Sequence, residues 1–170
     1  DAPDGAPSAT VLLDLAPSLD AILASMATTR RQAVRYALKR GVAVRSGDEN
    51  DLEDFHRMHT ATAQRQGFIP LSLPYLREQW AALRPAGAVE LVVAEHGGRA
   101  LAGIWLTVFG DTVTYRIAAW SGEQPKLQPN VACHWQAIRW AKAQGCRWYD
   151  LGGIARRFVE TVAGLALLRT

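Results

Sequence analysis

Three consecutive β-rich segments in the middle of the chain restrict its fold more than any other feature. They span residues 89–95, 100–109 and 112–120, and they are separated only by two short turn-forming sequences, His96–Arg99 and Gly110–Asp111. Connections this short join neighbouring antiparallel strands, because a parallel crossover needs a dozen or more residues. We therefore predict an antiparallel three-stranded meander.

Helical and extended patterns flank the predicted meander on both sides. Before it, strand patterns cover residues 10–15 and 42–45, and helix patterns cover residues 18–26, 28–40, 48–66 and 75–83. After it, a helix over 130–144 is closed by Gly145 and precedes a last strand over 146–150. The order β-α-α-β-α-α-β-β-β-α-β predicts an α/β (α+β) domain that contains this antiparallel meander.

The composition is that of one ordinary globular domain. The 170 residues are 49% hydrophobic and 21% charged, which suffices for a single buried core. Two cysteines, Cys133 and Cys146, are too few for a disulfide framework or a zinc site, so we predict reduced, packed thiols. No stretch has the roughly 18 apolar residues of a membrane span, and the start has no signal-peptide pattern, so we predict a cytoplasmic protein without a transmembrane segment. Residues 1–8, rich in Pro, Gly and Ala, are expected to be a linker or an artificial boundary, with a preceding domain missing.

Charge is distributed unevenly along the chain, although the net charge is only +3. No acid occurs between Asp20 and Asp48, and the cations in that interval are Arg30, Arg31, Arg35, Lys39, Arg40 and Arg45. Such a cluster attracts phosphate groups, which makes it the candidate for contact with RNA. The alternative is a solvated helix that packs against another domain or pairs with the acidic segment that begins at Asp48.

The sequence from Tyr149 to Ile154, YDLGGI, lies at the end of the last predicted strand. Two glycines after a strand-borne acid permit a sharp turn and a close approach of a ligand to the backbone. Asp150 either bonds the amides of that turn or forms part of a pocket wall together with Gly152 and Gly153.

Several sequence blocks together resemble the Fem family of peptidoglycan-bridge aminoacyltransferases. The order of elements is also close to that of the GNAT acyltransferase fold, which this family uses. This resemblance implies a mixed, mostly antiparallel sheet flanked by helices. The matching blocks are Arg30–Gly41, Thr60–Phe68, Asp111–Ser121, Trp135–Gly145 and Tyr149–Ile154. The resemblance implies that residues 9–170 form a single GNAT-like domain, which is the second domain or a fragment of a larger Fem-type protein.

The resemblance implies an aminoacyltransferase that moves an amino acid from aminoacyl-tRNA, its co-substrate, to the stem peptide of a lipid- or nucleotide-linked peptidoglycan precursor. Attack of an amine on an ester carbonyl needs positioning and stabilisation of an oxyanion, and it requires no metal or other cofactor. His56 and His59 lie three residues apart on one predicted helix but lack a third ligand, so we predict no metal site. The expected location is the cytoplasm, at the inner face of the membrane.

The resemblance also assigns roles to individual residues. It implies substrate contacts for Arg65, Tyr115, Asp150, Gly152 and Gly153, and tRNA contacts for Arg30, Arg31 and Arg35. Arg169 stands where the family has a lysine, which implies a catalytic positive charge near the transferred carbonyl or the tRNA end. From the residues alone, Arg65 is equally a cation at a helix C-terminus, and Tyr115 is equally an ordinary strand residue.

Two other functions stay open. The first is a CoA-dependent N-acyltransferase of the GNAT fold, with acetyl-CoA as co-substrate. Against it, residues 121–130, where a phosphate-binding loop belongs, contain one glycine and two prolines, and proline lacks the N–H that a phosphate cradle requires. The second is a non-catalytic module that binds the precursor without transferring anything to it.

Overall fold

A computed structural model describes residues 9–154, which form six strands and five α-helices. In chain order these are β1 (Ala9–Asp14), α1 (Leu19–Ser25), α2 (Thr28–Lys39), β2 (Ala43–Ser46), α3 (Leu52–Gln66), α4 (Leu73–Leu83), β3 (Val89–His96), β4 (Arg99–Phe109), β5 (Thr112–Trp120), α5 (Pro129–Ala143) and β6 (Trp148–Ile154). The predicted order of elements is therefore confirmed. The predicted linker over 1–8 and the predicted catalytic Arg169 lie outside the described residues.

All six strands belong to one sheet, in the order β1-β6-β5-β4-β3-β2. The strands β3, β4 and β5 form the predicted antiparallel meander. Strand β6 pairs with β5 in parallel, whereas the other neighbouring pairs are antiparallel. The parallel pair arises because α5 carries the chain back across the sheet between β5 and β6. The prediction of a mixed, mostly antiparallel sheet flanked by helices is confirmed.

Helices cover both faces of the sheet and enclose two apolar cores. On one face, α5 contributes small buried side chains that let the helix lie close to the strands, namely Ala132, Cys133, Ala137 and Ala141. On the other face, α3 and α4 contribute Phe55 and Trp80, which pack against Trp105 of β4. The two cysteines are buried free thiols, as predicted.

Two β-bulges lie close together where β5 and β6 separate. The two strands pair only over three residues, the last pair being Thr114 and Asp150. Strand β5 then carries one extra residue, Arg116, relative to β4. Strand β6 likewise gains a residue relative to β1, and Gly152 adopts a φ of 82° there. Beyond this point β5 follows β4 while β6 follows β1, which leaves an opening between them.

The prediction that Gly152 and Gly153 form a turn after the last strand is wrong. Strand β6 runs from Trp148 through both glycines to Ile154, and Gly153 pairs with Thr10 of β1. A glycine with positive φ can be absorbed by a strand as a bulge, so the ladder with β1 continues.

Asp48 was predicted to cap a helix over 48–66. In the structure it caps a single 3₁₀ turn that precedes α3.

A side chain at Gly103 is expected to destabilise the fold. A Cβ atom on this β4 residue would lie 2.8 Å from Cδ2 of Phe55. Gly103→Ala should therefore lower the free energy of unfolding by about 1–3 kcal/mol through overpacking, measured by urea denaturation. Adding Phe55→Leu should relieve part of this loss, so the double variant should be more stable than the sum of the single effects predicts. Additive effects would contradict the proposed clash.

Candidate functional site

A cleft of about 490 Å³ lies beside the opening, on the side of the sheet covered by α4. We call it the α4-side cleft. It is lined by Leu71, Tyr75, Leu76, Gln79, Trp105, Thr107, Thr114, Tyr115, Arg116, Ile117, Gly152 and Gly153. A second cleft of about 380 Å³ shares Leu71 and three β5 residues with it and extends to His59 and Phe68. Together they form a groove large enough for part of an extended ligand.

Arg116 is the cation of the α4-side cleft. It is exposed, and it takes part in none of the ion pairs found within residues 9–154. Arg116 is the extra residue of the β5 bulge, which reverses the side-chain alternation of the strand. Tyr115 and Ile117 therefore contact opposite cores although they are two residues apart. An exposed guanidinium beside an open cleft is suited to binding a carboxylate or phosphate.

A third cleft, of about 390 Å³, lies on the α5 side of the sheet. We call it the apolar cleft. It is lined by Val11, Leu12, Leu13, Met26, Ala27, Arg30, Val34, Val131, His134, Trp135, Ile138 and Leu151. Its walls are mostly aliphatic, and Arg30 and His134 are the titratable residues in this lining.

The α4-side cleft and the apolar cleft are lined by consecutive residues of β6, at the point where β6 separates from β5. Leu151 lines the apolar cleft, whereas its neighbours Gly152 and Gly153 line the α4-side cleft. A Cβ atom on Gly152 would lie 3.1 Å from the Tyr115 carbonyl oxygen. Glycine is therefore required here both by its positive φ and by the close approach of β5.

An aromatic cluster lies against the opening on the α5 side. His134 Nδ1 is 3.0 Å from the Tyr149 hydroxyl oxygen, and the His134 and Tyr115 ring centroids are 4.7 Å apart. Burial, together with the charge of Arg30, lowers the pKa of His134 to about 4. Burial raises the pKa values of both tyrosines, so their phenol groups remain protonated. The neighbouring Cys133 has a pKa raised to about 12 by burial, which makes its thiol unreactive.

Asp150 braces the bulge rather than lining either cleft. Its Oδ1 accepts a hydrogen bond of 2.8 Å from the Gly152 amide N–H and is also contacted by the Thr10 hydroxyl. The same hydroxyl lies 2.8 Å from the Gly152 carbonyl oxygen. This is the local structural role that one of the two sequence interpretations predicted for Asp150.

Arg65 lies away from the opening. Its Nη2 donates to the Trp120 carbonyl at 2.5 Å and lies 3.1 Å from Thr62 Oγ1, and its guanidinium stacks over the Trp120 ring. Trp120 is five residues beyond Tyr115 along β5, which corresponds to roughly 17 Å. The structure thus brings Tyr115, Gly152 and Gly153 together, whereas Arg65 fastens the end of α3 to the end of β5.

The predicted RNA-contacting arginines have different surroundings. Arg31 donates to the Ala24 and Met26 carbonyls and so fastens the junction of α1 and α2. Arg30 borders the apolar cleft, and Arg35 is exposed on α2. Arg45, by contrast, pairs with Asp51 and with Glu95. Within the basic cluster, the alternative of pairing with the acidic segment that begins at Asp48 is therefore observed for Arg45.

His59 is a buried structural residue. Its Nε2 accepts a hydrogen bond of 3.2 Å from the Leu71 amide, and its Nδ1 lies 3.3 Å from the Ala118 carbonyl oxygen. Burial lowers the pKa of His59.

No group of three or more potential metal ligands comes together within residues 9–154. In the same part of the chain, no helix has both the length and the apolar character needed to cross a membrane.

Sequence reasoning overlooked two residues that the structure brings to the clefts. His134 had a detectable signal, because Val131, His134, Trp135 and Ile138 follow the i, i+3, i+4, i+7 spacing of one helix face. A single polar residue on that apolar stripe is the feature to notice. Arg116 had no such signal, since its position depends on a bulge that exists only in the paired sheet.

Comparison with known proteins places these features in a family. Residues 24–159 match the family model described as Acetyltransferase (GNAT) domain. The UDP-N-acetylmuramoylpentapeptide-lysine N(6)-alanyltransferase of Weissella viridescens is 28% identical over 149 residues, covering 87% of this chain and 41% of that protein. The lipid II:glycine glycyltransferase of Staphylococcus aureus is 30% identical over 89 residues, covering 52% of this chain and 21% of that protein.

Structural comparison agrees with the sequence matches. The crystal structure of FemX superposes with a TM-score of 0.81 at 21% identity, covering 85% of this chain and 52% of that chain. The predicted GNAT-like fold and the resemblance to Fem proteins are thereby confirmed. The chain spans less than half the length of both curated relatives.

The burial of His134 should make stability depend on pH. Its pKa is about 4 in the folded state, against 6.5 for an ordinary histidine. Below pH 6.5 only the unfolded state gains the proton, so stability is complete above that pH and falls as the pH approaches 4. Between pH 7 and pH 5 this single group should remove about 2 kcal/mol from the free energy of unfolding.

His134→Gln isolates this contribution, since glutamine does not titrate. Urea denaturation at pH 7, 6 and 5 should show a smaller loss of stability for the variant than for the unmodified chain. The same pH dependence in both proteins would contradict the assigned burial of the imidazole.

Proposed function

This chain belongs to the Acetyltransferase (GNAT) domain family, and from that premise we propose that it transfers an aminoacyl group from aminoacyl-tRNA to the stem peptide of a peptidoglycan precursor. The activities for which the relatives are named support the choice of acceptor. The Weissella viridescens relative is a UDP-N-acetylmuramoylpentapeptide-lysine alanyltransferase, and the Staphylococcus aureus relative is a lipid II:glycine glycyltransferase.

One structural observation carries the proposal, namely that consecutive residues of β6 line clefts on opposite faces of the sheet, at the point where β6 separates from β5. An acyl transfer without a covalent enzyme intermediate needs donor and acceptor bound at the same time, with the reacting atoms about 3 Å apart. Two substrates that approach from opposite faces and meet at one gap satisfy this requirement. Gly152 lets β6 pass close to the Tyr115 carbonyl oxygen at this point, because a Cβ atom there would lie 3.1 Å from that oxygen.

The apolar cleft is the proposed donor side. Arg30 borders this cleft, and Arg35 lies one turn and a half further along α2. Both cations are exposed and suit the phosphates of a tRNA end. The aliphatic walls exclude water from the ester, which strengthens the hydrogen bonds that act on it.

The α4-side cleft is the proposed acceptor side. A muropeptide precursor carries carboxylates and a diphosphate, and Arg116 supplies a positive charge for such groups. Tyr115, Gly152 and Gly153 form the floor beneath the acceptor amine. We keep Arg65 as a proposed contact at the far end of the groove, because its guanidinium has N–H groups beyond those that hold Trp120 and Thr62.

The start of α5 argues against acetyl-CoA as the donor. Pro129 has no N–H, and the Val131 and Ala132 amides both bond to the Gln128 carbonyl. Asn130 is therefore the one residue among 129–132 whose amide is left for a phosphate in this hydrogen-bonding pattern. The preceding loop contains a further proline, Pro125, which also lacks an N–H.

The proposal also includes a longer protein, a role for Arg169 and a cellular location. We infer that this chain is one domain of a longer Fem-type enzyme, since its match covers 52% of the FemX chain. Arg169 is proposed to supply a positive charge at the transferred carbonyl or the tRNA end. The reaction is placed at the inner face of the cytoplasmic membrane, where a lipid-linked precursor is accessible.

A transfer assay tests the function directly. The protein is incubated with a muropeptide precursor and with either radiolabelled aminoacyl-tRNA or radiolabelled acetyl-CoA, and the label on the precursor is measured. We expect transfer from aminoacyl-tRNA and none from acetyl-CoA. Transfer from acetyl-CoA alone would favour the CoA-dependent enzyme, and precursor binding without any transfer would favour the binding module.

Removing the cation of the α4-side cleft should weaken precursor binding. Arg116→Gln is expected to raise the Kd for the precursor roughly five- to thirty-fold, which corresponds to about 1–2 kcal/mol for a charge-assisted contact. Isothermal titration calorimetry measures this change. Arg139→Gln, an exposed cation on α5, is the matched control and should leave the Kd unchanged. Equal affinities of both variants would exclude Arg116 from the acceptor site.

A further inference from the structure

The cluster of Tyr115, His134 and Tyr149 has a geometry that acyl transfer can use. Tyr149 on β6 and Tyr115 on β5 are sequence neighbours of Asp150 and Thr114, the last residues that pair before the two strands separate. His134 projects from α5 onto both, with its ring edge-on to Tyr149 and tilted against Tyr115. Because His134 also lines the apolar cleft, its imidazole lies between the buried core and the space proposed for the donor.

The hydrogen bond with Tyr149 determines the tautomer of His134. The Tyr149 side chain is fully buried, and its hydroxyl contacts His134 Nδ1 as its one hydrogen-bond partner within residues 9–154. If the hydroxyl donates, only the Nε2–H of the imidazole remains unpaired. If Nδ1–H donates instead, the buried Tyr149 O–H is unpaired, at a cost of about 1–3 kcal/mol. The first arrangement is therefore favoured, and it leaves the proton on Nε2.

The surroundings also keep His134 uncharged. Burial and the nearby Arg30 lower its pKa to about 4, so the ring is a neutral imidazole at neutral pH. A group with this pKa is a poor proton acceptor for an amine. A neutral imidazole locked in one tautomer can instead polarise a carbonyl group through its N–H.

We propose that His134 donates a hydrogen bond from Nε2–H to the carbonyl oxygen of the aminoacyl ester, and that Tyr149 positions it for this task. The inference rests on the function proposed above. The acceptor amine attacks the ester carbon, the carbonyl π pair moves to oxygen, and Nε2–H stabilises that oxyanion. The carbonyl double bond then re-forms and the bond between the carbonyl carbon and the ribose oxygen breaks. The ribose oxygen receives the proton that the amine nitrogen releases. His134 keeps its own proton throughout.

Three substitutions at one position separate a hydrogen-bond donor from the alternatives. His134→Leu removes the donor and should lower kcat for aminoacyl transfer about 100-fold, the effect of losing one oxyanion donor. His134→Gln retains a side-chain N–H near the position of Nε2 and should stay within about tenfold of the unmodified chain. His134→Glu replaces the donor with an acceptor and should be at least as impaired as the leucine variant. KM values for both substrates should change less than threefold in the leucine and glutamine variants.

Two further variants complete the test. His56→Leu makes the same substitution on α3, outside the lining of all three clefts, and should leave kcat unchanged. Tyr149→Phe removes the hydroxyl and should lower kcat about tenfold. Nitrogen-15 NMR of the imidazole should show a protonated Nε2 in the unmodified chain and a mixture of tautomers in Tyr149→Phe.

The possible failures are distinguishable. If the unmodified chain transfers the amino acid and His134→Leu is equally fast, the role of His134 is refuted while the proposed function stands. If His134→Gln is as slow as His134→Leu, the imidazole acts by proton transfer or by packing, and the donor role is refuted. If the unmodified chain transfers nothing from aminoacyl-tRNA, the proposed function fails, and the role of His134 fails with it.

Discussion

The short parallel pairing of β5 with β6 is the constraint on which the rest of the site depends. Three residue pairs hold the strands together, and beyond Thr114 and Asp150 each strand follows a different neighbour. Extended pairing would use every backbone amide of both strands and close the sheet to a ligand. Because the pairing stops early, β5 and β6 diverge within a sheet whose other neighbouring strands stay paired. Residues beside this divergence line both clefts described above.

The two bulges allow the strands to separate without losing their other partners. In β5 the extra residue Arg116 shifts the side-chain alternation, so that a tyrosine faces one core and a cation borders the opposite cleft. In β6 the bulge at Gly152 is held by Asp150 and by the Thr10 hydroxyl, both from paired strands. Side-chain hydrogen bonds thus replace ladder bonds at the irregularity, which limits the penalty for unpaired backbone groups.

Much of the fold follows from local patterns that act over a few residues. The meander was predictable because its turns are too short for any connection but a hairpin, and α5 because it lies between Pro129 and Gly145. The end of β6 was mispredicted for the opposite reason, since a glycine pair is a turn signal locally but a bulge when β1 pairs across from it. The same contrast between local signals and strand register separates two residues at the opening between β5 and β6. Gly152 was identified from its sequence context, whereas Arg116 depends on a register that only the assembled sheet possesses.

By itself, the sequence determined the order of strands and helices, the antiparallel meander and the stretch in which the site lies. These follow from hydrophobic periodicity, turn residues and helix ends, which are local properties. Only the tertiary structure decided that Arg65 fastens the end of β5, that Asp150 braces a bulge and that His134 meets Tyr149 and Tyr115. The contacts of Arg65 and His134 join residues 15 to 55 positions apart, and Asp150 contacts Thr10 on another strand. Their geometry depends on strand register and on the path of α5, and neither is encoded in the spacing of any single segment.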